Sequence, residues 1–176
     1  MKCRNKRNIT FILISLLMIC SNAKSQSVEY FVKASFIEKF ARFTEWQPNS
    51  INESFVIGVL GENPFYNELE KLSKKTKIKD KPVTVKYFQN LSEVQKCQVL
   101  FISSSEKNNI TEIIKTLSKM NVLLIGDSPG YAEKGVHFNF YYKKNETLHF
   151  EINMKSLVNA NLKTDIQLLS LGKIIN

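Results

Sequence analysis

Apolar and polar residues follow one another along the chain in patterns that predict alternating helices and strands. From Val28 to Trp46 the apolar residues recur at helical spacing on an aromatic-rich face, and Pro48 ends the predicted helix. Ser54–Leu60, Val99–Ser103 and Val122–Ile125 are short continuous apolar runs, which are typical of strands buried on both faces. These runs predict three central strands of a sheet.

The segments between these strands predict helices and one more exposed strand. A short helix is expected from Asn63–Pro64 to about Leu72, one helical turn at Leu91–Lys96, and a longer helix over Glu106–Lys119. Lys77–Phe88 contains an alternation of apolar with polar residues, as a strand with one solvated face does. Strands that alternate with helices indicate an α/β fold.

The pattern changes after a turn at Gly126–Gly130. Val136–Tyr142 and Leu148–Ile152 each alternate apolar with polar residues, which predicts an antiparallel hairpin with one buried face. Asn153 is placed to cap a final helix that runs toward Ile175. We therefore predict an α/β fold in a single three-layer domain, with a mixed sheet, helices on both faces, and a C-terminal antiparallel hairpin plus helix.

The start of the chain has the three-part layout of a secretory signal peptide. Basic residues come first, an apolar run of 12 residues covers Ile9–Cys20, and small and polar residues follow. The run is shorter than the roughly 20 apolar residues that a membrane-spanning helix needs. Small residues stand one and three positions before Gln26, so we predict a signal peptide over residues 1–25, cleaved between Ser25 and Gln26, and one periplasmic domain over residues 26–176.

Two alternatives for this segment stay open. Leu17–Cys20 resembles a lipoprotein box, in which the cysteine is lipidated, although Ile19 stands where such a box has a small residue. An uncleaved membrane anchor is the second alternative. Mass spectrometry of the N-terminus of the exported protein separates the three.

The overall charge suggests a nucleic-acid or membrane partner, and its distribution removes most of that suggestion. The chain has 25 Lys and Arg against 16 Asp and Glu, a net charge of +9. Five of the basic residues and no acidic residue lie in residues 1–25, so the rest carries an excess of only four. Within Lys71–Lys86 seven lysines face one acid. We expect a solvated loop and edge strand whose lysines discourage edge pairing, with an acidic partner surface as the alternative and no nucleic acid.

Few residues offer catalytic chemistry. His137 and His149 fall on polar positions of the hairpin strands, where we expect surface histidines, since a catalytic zinc usually has three protein ligands. Cys97 opens an apolar run and is expected to be a small buried hydrophobe. Asp127 follows a strand and is interpreted as a turn residue that bonds to its own backbone. We therefore predict a non-enzymatic binding protein with no catalytic, metal-binding or cofactor-binding residues.

Five segments carry a family resemblance. They are KASFIEKFARFTEW at 33–46, FVIGVLGENPF at 55–65, CQVLFISSSE at 97–106, LLIGDSPGYAEKGVHFNF at 123–140 and FEINMKSLVNANLKTDIQLLSLGKII at 150–175. In order and spacing they resemble the YfiR family of periplasmic proteins, the DUF4154 type. The resemblance covers nearly all of the predicted domain and implies its α/β fold.

The same resemblance implies an exported regulator of a membrane signalling enzyme. In the characterised system of the family, the protein binds the periplasmic part of a diguanylate cyclase and holds the enzyme off. An outer-membrane protein with a peptidoglycan-binding domain sequesters the repressor, which raises cyclic di-GMP and favours biofilm formation. The partner expected here is the periplasmic region of a diguanylate cyclase or a sensor kinase. Such relatives have disulfides, whereas only Cys97 remains after residue 25, so their redox sensitivity is not expected.

Exposed aromatic residues near turns are the candidates for a partner-binding surface, since aromatic side chains often dominate interface energetics. These candidates are Phe65, Tyr66, Tyr131, Tyr141 and Tyr142. The core face of the first helix is instead expected to hold Phe36, Phe40, Phe43 and Trp46. A periplasmic small-ligand or cell-wall-binding module, with its cleft at the carboxyl ends of the strands, is the alternative function. The sequence leaves open whether the domain forms a homodimer.

Overall fold

A mixed sheet of eight strands occupies the centre of the molecule. The structure is a computed structural model that describes residues 28–47, 51, 53–62, 66–94 and 96–175. The strands are β1 (Thr44–Glu45), β2 (Phe55–Leu60), β3 (Lys77–Ile78), β4 (Lys81–Phe88), β5 (Val99–Ile102), β6 (Leu123–Gly126), β7 (Phe138–Tyr142), β8 (Leu148–Asn153), β9 (Lys163–Thr164) and β10 (Lys173–Ile175). The helices are α1 (28–43), α2 (Tyr66–Ser73), α3 (Ile110–Leu117), α4 (Tyr131–Lys134), α5 (Met154–Asn159) and α6 (Ile166–Leu169).

The order of the strands across the sheet is β10-β8-β7-β6-β5-β2-β4-β3. Five neighbouring strands, from β7 to β4, run parallel to one another. Antiparallel pairs occur at both sides, where β8 pairs with β7 and β3 pairs with β4. β1 and β9 form a separate two-stranded sheet. The predicted mixed α/β fold and its C-terminal hairpin are confirmed.

Apolar clusters cover both faces of the sheet, because successive residues of a strand point to opposite sides. Val99 and Phe101 of β5 join one cluster, and Leu100 and Ile102 join the other. Side chains of α1, α2, α5 and α6 complete the first cluster, and those of α3 and α4 complete the second. The ring of Phe40 stacks on that of Phe138 with 4.4 Å between centroids. This double coverage explains the continuous apolar runs of the central strands.

The first helix ends earlier than predicted. It ends at residue 43, and β1 follows where the prediction continued the helix to Trp46. Phe40 is fully buried and Phe36 is partly buried against the same core, whereas Phe43 is 36% exposed and so is not part of the core face. Trp46 reaches the core from beyond the helix, since its ring packs edge-on against Phe55 at 5.2 Å.

The exposed strand predicted over Lys77–Phe88 is a hairpin. Lys79 and Asp80 form its turn, with φ angles of 51° and 64° that fold the chain between β3 and β4. Such left-handed turns are usually marked by glycine or asparagine. Lys79 and Asp80 are neither, so the sequence gives no clear signal for a turn at this point. β3 lies at the outer side of the sheet, which agrees with the expected edge position of this lysine-rich stretch.

The single C-terminal helix predicted after Asn153 is wrong. Asn153 does cap a helix, since its side chain accepts a hydrogen bond from the Ser156 N–H at 2.8 Å. That helix, α5, ends at Asn159, and the chain continues as β9, α6 and β10. Asn161 has a φ of 55°, which interrupts any helix at that point. The chain instead returns to the sheet, where β10 pairs parallel with β8.

Some predictions concern residues outside the described part of the chain. These are the signal peptide with its cleavage site and the helix start at Asn63–Pro64. Within the described residues, no helix combines the length and the apolar character that crossing a bilayer requires.

Candidate functional site

A buried lysine forms the centre of a charged cluster at the carboxyl end of β6. Lys33 is only 6% exposed. Its Nζ lies 3.1 Å from Oε1 of Glu29 and 3.3 Å from Oδ2 of Asp127, and 5.6 Å from the centroid of the Tyr142 ring. A buried ammonium is costly unless it is paired, and two carboxylates and an aromatic face meet that need here. The cluster ties α1 to the end of the sheet.

Burial and pairing act in opposite directions on the acids of this cluster. Burial raises the pKa of Glu29, but the hydrogen bond with Tyr142 and the Lys33 ammonium outweigh it and leave the pKa below its usual value. At Asp127 burial prevails over Lys33 and raises the pKa of the carboxyl. Burial and the hydrogen bond to Glu29 raise the pKa of Tyr142, so its phenol stays protonated and donates to Glu29. Oδ1 of Asp127 is buried without a hydrogen-bond partner among the described residues, so Lys33 is the main partner of this carboxyl.

A cleft with a volume of about 470 Å³ opens beside this cluster. Its walls come from α1 and from the β7–β8 hairpin, and the lining residues are Val28, Glu29, Val32, Tyr142, Glu146 and Leu148. Three apolar side chains, two carboxylates and one phenol therefore face the same space. The volume lies within the roughly 300–1,000 Å³ of small-ligand pockets, so the cleft is large enough to hold a small molecule.

The loops after β2 and β5 lie against each other at the point where the strand order reverses. The chain passes from β2 to β4 on one side and returns to β5 on the other, and open α/β sheets bind ligands at such a point. A Cβ at Gly61 would lie only 2.4 Å from Oγ of Ser105. That hydroxyl also accepts a hydrogen bond from the Glu62 N–H at 3.0 Å. The Ser105 side chain of the loop after β5 thus occupies the space beside Gly61 and accepts a backbone hydrogen bond from the loop after β2.

A second polar network crosses the hairpin near this end of the sheet. The Asn139 side-chain amide donates to the Ser128 carbonyl at 3.0 Å and to Oε2 of Glu151 at 3.4 Å. Oε1 of Glu151 accepts from Nζ of Lys173 at 3.0 Å. Asn139 and Glu151 are buried, so their hydrogen bonds fix the loop after β6 and the edge strand β10 to the hairpin.

The two histidines lie in different environments, and the prediction for His137 is wrong. His137 is 1% exposed, and its Nδ1 accepts a hydrogen bond from the Leu124 N–H at 2.9 Å. The prediction failed because helices cover both faces of the sheet, so the polar phase of β7 is not a solvent-facing side. Burial lowers the pKa of His137 to about 3. His149 is half-buried, close to Tyr141 and Thr147.

Cys97 is buried and free, as predicted. Burial raises the pKa of its thiol to about 12, so the reactive thiolate is scarce at neutral pH. No group of three or more His, Cys, Asp or Glu side chains within the described residues is arranged to hold a metal ion.

The structure separates the aromatic residues predicted to bind a partner. Tyr141 and Tyr142 end β7, and Tyr142 is 47% exposed at the cleft. Tyr66 begins α2 at the other side of the sheet, and its ring meets that of Tyr87 at 6.3 Å. Tyr131 is 1% exposed, because α4 turns its ring onto the sheet and its hydroxyl donates to the Ser103 carbonyl at 3.2 Å. Phe65 lies outside the described residues.

Sequence reasoning missed Lys33 and Glu29, which organise the cluster. A signal for Lys33 was present, because it lies one turn before Ile37 on the apolar side of the predicted helix. A charged residue in that position requires an opposite charge nearby, and Asp127 directly follows a buried strand. The sequence alone does not show that these two elements meet.

The chain matches the family model DUF4154, described as YfiR/HmsC-like, over residues 30–173. No curated protein shows significant similarity to it. Among solved structures, a conserved domain protein from Vibrio cholerae O1 biovar El Tor has a TM-score of 0.58 and 13% identity, with 81% of this chain and 60% of that chain covered. The present chain therefore spans 60% of the length of that protein, and the likeness concerns the fold alone.

A 3-hydroxyacyl-CoA dehydrogenase from Archaeoglobus fulgidus also aligns, over 69% of this chain and 55% of that chain at 11% identity. Its TM-score of 0.32 is too low to carry an argument. The family match, in contrast, covers α1 and nearly every strand and helix that follows. By this match the protein belongs to the YfiR/HmsC-like family.

Proposed function

We propose that this protein is a periplasmic regulator that binds the periplasmic region of a membrane-bound signalling enzyme, a diguanylate cyclase or a sensor kinase, and modulates its activity. The observation that carries the proposal is the match to the YfiR/HmsC-like family over residues 30–173. That family is regulatory and non-catalytic. In this proposal the protein controls cyclic di-GMP and thereby biofilm formation, and an outer-membrane peptidoglycan-binding protein competes for it.

The regulator acts by binding one conformation of its target more tightly than the other, since a ligand shifts an equilibrium only by its differential affinity. Exposed apolar side chains on α1 and the hairpin favour the cleft end of the molecule as the contact surface. Val28 is 64% exposed, Phe31 56% and Tyr142 47%. Aromatic and apolar side chains of this kind contribute much of the energy at protein interfaces.

Photo-crosslinking in the native membranes tests this proposal. A photoreactive residue at Phe31 is compared with one at Val158, which is 66% exposed on α5. We expect the Phe31 probe to capture an inner-membrane signalling protein, identified by mass spectrometry, and the Val158 probe to capture much less of it. Recovery of no signalling protein by either probe argues against the proposal. N-terminal mass spectrometry of the same preparation tests export, with Gln26 as the expected first residue.

The cleft supports a second candidate function, binding of a small ligand or a cell-wall fragment. Its volume and mixed apolar and polar lining are the observations in favour. Soluble peptidoglycan fragments are then expected to raise the melting temperature. A Val32→Trp substitution, which fills the cleft, removes that rise, whereas Val158→Trp on the exposed side of α5 preserves it. No change in melting temperature with the fragments excludes these ligands.

A further inference from the structure

The outer side of β4 is an open sheet edge along most of its length. β3 pairs only with Lys81 and Pro82. No strand among the described residues pairs with Val83–Phe88 on the side away from β2. Five to six residues is the ordinary length of a strand, so this six-residue edge is long enough to receive one.

The backbone groups that face outward follow from the alternation of a strand. The Phe88 carbonyl accepts a hydrogen bond from the Gly61 N–H at 3.3 Å, just beyond β2, so the backbone groups of Phe88 face β2. Alternate residues then face the other way, which places the N–H and C=O groups of Val83, Val85 and Tyr87 on the open edge. Lys81 agrees with this phase, because the two-residue turn at Lys79 and Asp80 makes Ile78 and Lys81 the hydrogen-bonded pair that closes the hairpin.

The side chains along the edge differ between its two faces. Val83 and Val85 are half-buried and pack against the core, and Tyr87 continues this face with 45% exposure. Thr84 and Lys86 are exposed on the opposite face, where Lys77 also lies because it is in register with Pro82. An added strand would therefore meet an apolar surface on one face and positive charge on the other.

The charge around this edge is largely uncompensated. Lys71 and Lys74 are paired with Glu68 and Glu70 of their own helix. Among the described residues, no ion pair forms with Lys75, Lys77, Lys79, Lys81 or Lys86. These lysines repel a second copy of the same edge and discourage neutral strands, which is their protective effect. The same charge favours a strand that carries acids.

We propose that the open edge of β4, Val83–Tyr87, binds an extended segment of a partner protein in which acidic residues alternate with apolar ones. The segment adds a strand to the sheet through the outward N–H and C=O groups. Its apolar side chains cover Val83, Val85 and Tyr87, and its acids approach Lys86 and Lys77. This inference deepens the proposed function, on which it rests for the existence of a partner, by naming the kind of segment the partner presents.

Amide exchange measured by NMR on the purified ¹⁵N-labelled protein tests strand addition directly. The probe is a ten-residue synthetic peptide in which Glu alternates with Val. We expect the amides of Val83, Val85 and Tyr87 to exchange at least tenfold more slowly when the peptide is bound, whereas those of Thr84 and Lys86, which already face β2, change little. A peptide of the same composition with its Glu residues in one block controls for adhesion by charge alone. A second control peptide has Lys in place of Glu.

Matched charge reversals test the partner chemistry. Lys77→Glu with Lys86→Glu is expected to weaken binding of the alternating peptide at least tenfold. Lys143→Glu with Lys144→Glu makes the same change in net charge on the exposed turn of the β7–β8 hairpin and is expected to preserve binding. Val85→Pro removes one outward N–H without disturbing the bonds to β2, and it is expected to abolish the protection. If that variant does not fold, the two charge-reversal variants still test whether the edge of β4 binds the acidic segment.

Three results overturn the inference. They are the absence of protection at millimolar peptide, equal binding of the alternating and block peptides, and formation of dimers through this edge in the absence of peptide. Its failure is distinguishable from failure of the proposed function. Suppose that the variant with Lys77→Glu and Lys86→Glu captures the signalling enzyme through the Phe31 crosslinker as well as the wild type does. The proposed regulatory function is then supported, and the proposal that the edge of β4 binds the enzyme is refuted.

Discussion

Protonation of His137 is expected to make the protein markedly less stable in mild acid. Nδ1 of this fully buried imidazole accepts the Leu124 N–H at 2.9 Å, so the ring is neutral. Protonation of Nδ1 would set two N–H groups against each other and bury a charge. Burial lowers the pKa of His137 to about 3, although a hydrogen bond with the Ser156 backbone opposes this effect.

The sign and size of the effect follow from linkage. The unfolded chain, with an ordinary histidine pKa of about 6.5, binds a proton that the folded state refuses between pH 6.5 and 3. Stability from His137 is therefore fully present above pH 6.5 and is lost as the pH falls toward 3. The loss is about 2 kcal/mol at pH 5, and it approaches about 5 kcal/mol below pH 3.

Urea unfolding at pH 7.5 and pH 5.0 measures this loss. His137→Gln keeps an acceptor for Leu124 but cannot be protonated in this range, so the wild type should lose about 2 kcal/mol more than the variant between the two pH values. Carboxylates contribute equally to both proteins and cancel in the comparison. The same substitution at His149, which is half-buried, controls for removal of an imidazole and should keep the wild-type loss. Equal losses in wild type and His137→Gln would refute the reasoning.

Three further predictions concern the cluster, the edge strand and the thiol. Lys33→Met should lower the free energy of unfolding by about 3 kcal/mol in chemical denaturation, because it leaves Asp127 buried without its ion-pair partner. The double variant Lys33→Met with Asp127→Asn should recover part of this loss. Gly172→Ala should cost about 1–3 kcal/mol and speed amide exchange in β10, since its Cβ would lie 2.5 Å from Cε2 of Phe150; unchanged exchange would contradict the packing. The Cys97 thiol should react with a maleimide in urea but not in the native protein at pH 7.5, because it is buried. Mass spectrometry of the adduct measures the reaction, and rapid labelling of the native protein would contradict the burial.

The central strands could be predicted because burial on both faces leaves a direct mark on the sequence. Ser54–Leu60 and Val99–Ser103 were predicted within a residue or so of β2 and β5. A run with no polar phase has no solvent-facing side, and only a covered sheet accommodates it. The hairpin of β7 and β8 was also identified correctly. Its polar positions were wrongly expected to face solvent, since α4 covers the side of the sheet on which His137 lies.

The C-terminal segment shows why periodicity alone failed there. Leu157, Leu162 and Leu168 all reach the same core. In one continuous helix, Leu162 would point about 140° away from Leu157, because each residue turns by about 100°. A break between them brings all three inward, and the buried area they gain offsets the loss of helical hydrogen bonds. Tertiary packing therefore determines whether this segment is one helix or a broken one, and a single sequence does not show that packing.

The two surfaces of interest lie at opposite sides of the sheet, and this arrangement constrains the partner that could use both. Tyr142 and the cleft belong to β7, while the open edge belongs to β4, four strand spacings away. At about 4.8 Å per spacing, the two surfaces are separated by roughly 19 Å. A signalling enzyme that contacts Phe31 on α1 and also adds a strand to β4 must therefore present two regions about this far apart. The alternating peptide would occupy the site of one of these regions, so it should reduce capture of the enzyme through the Phe31 crosslinker. Undiminished capture in the presence of the peptide would mean that the enzyme does not use the edge of β4.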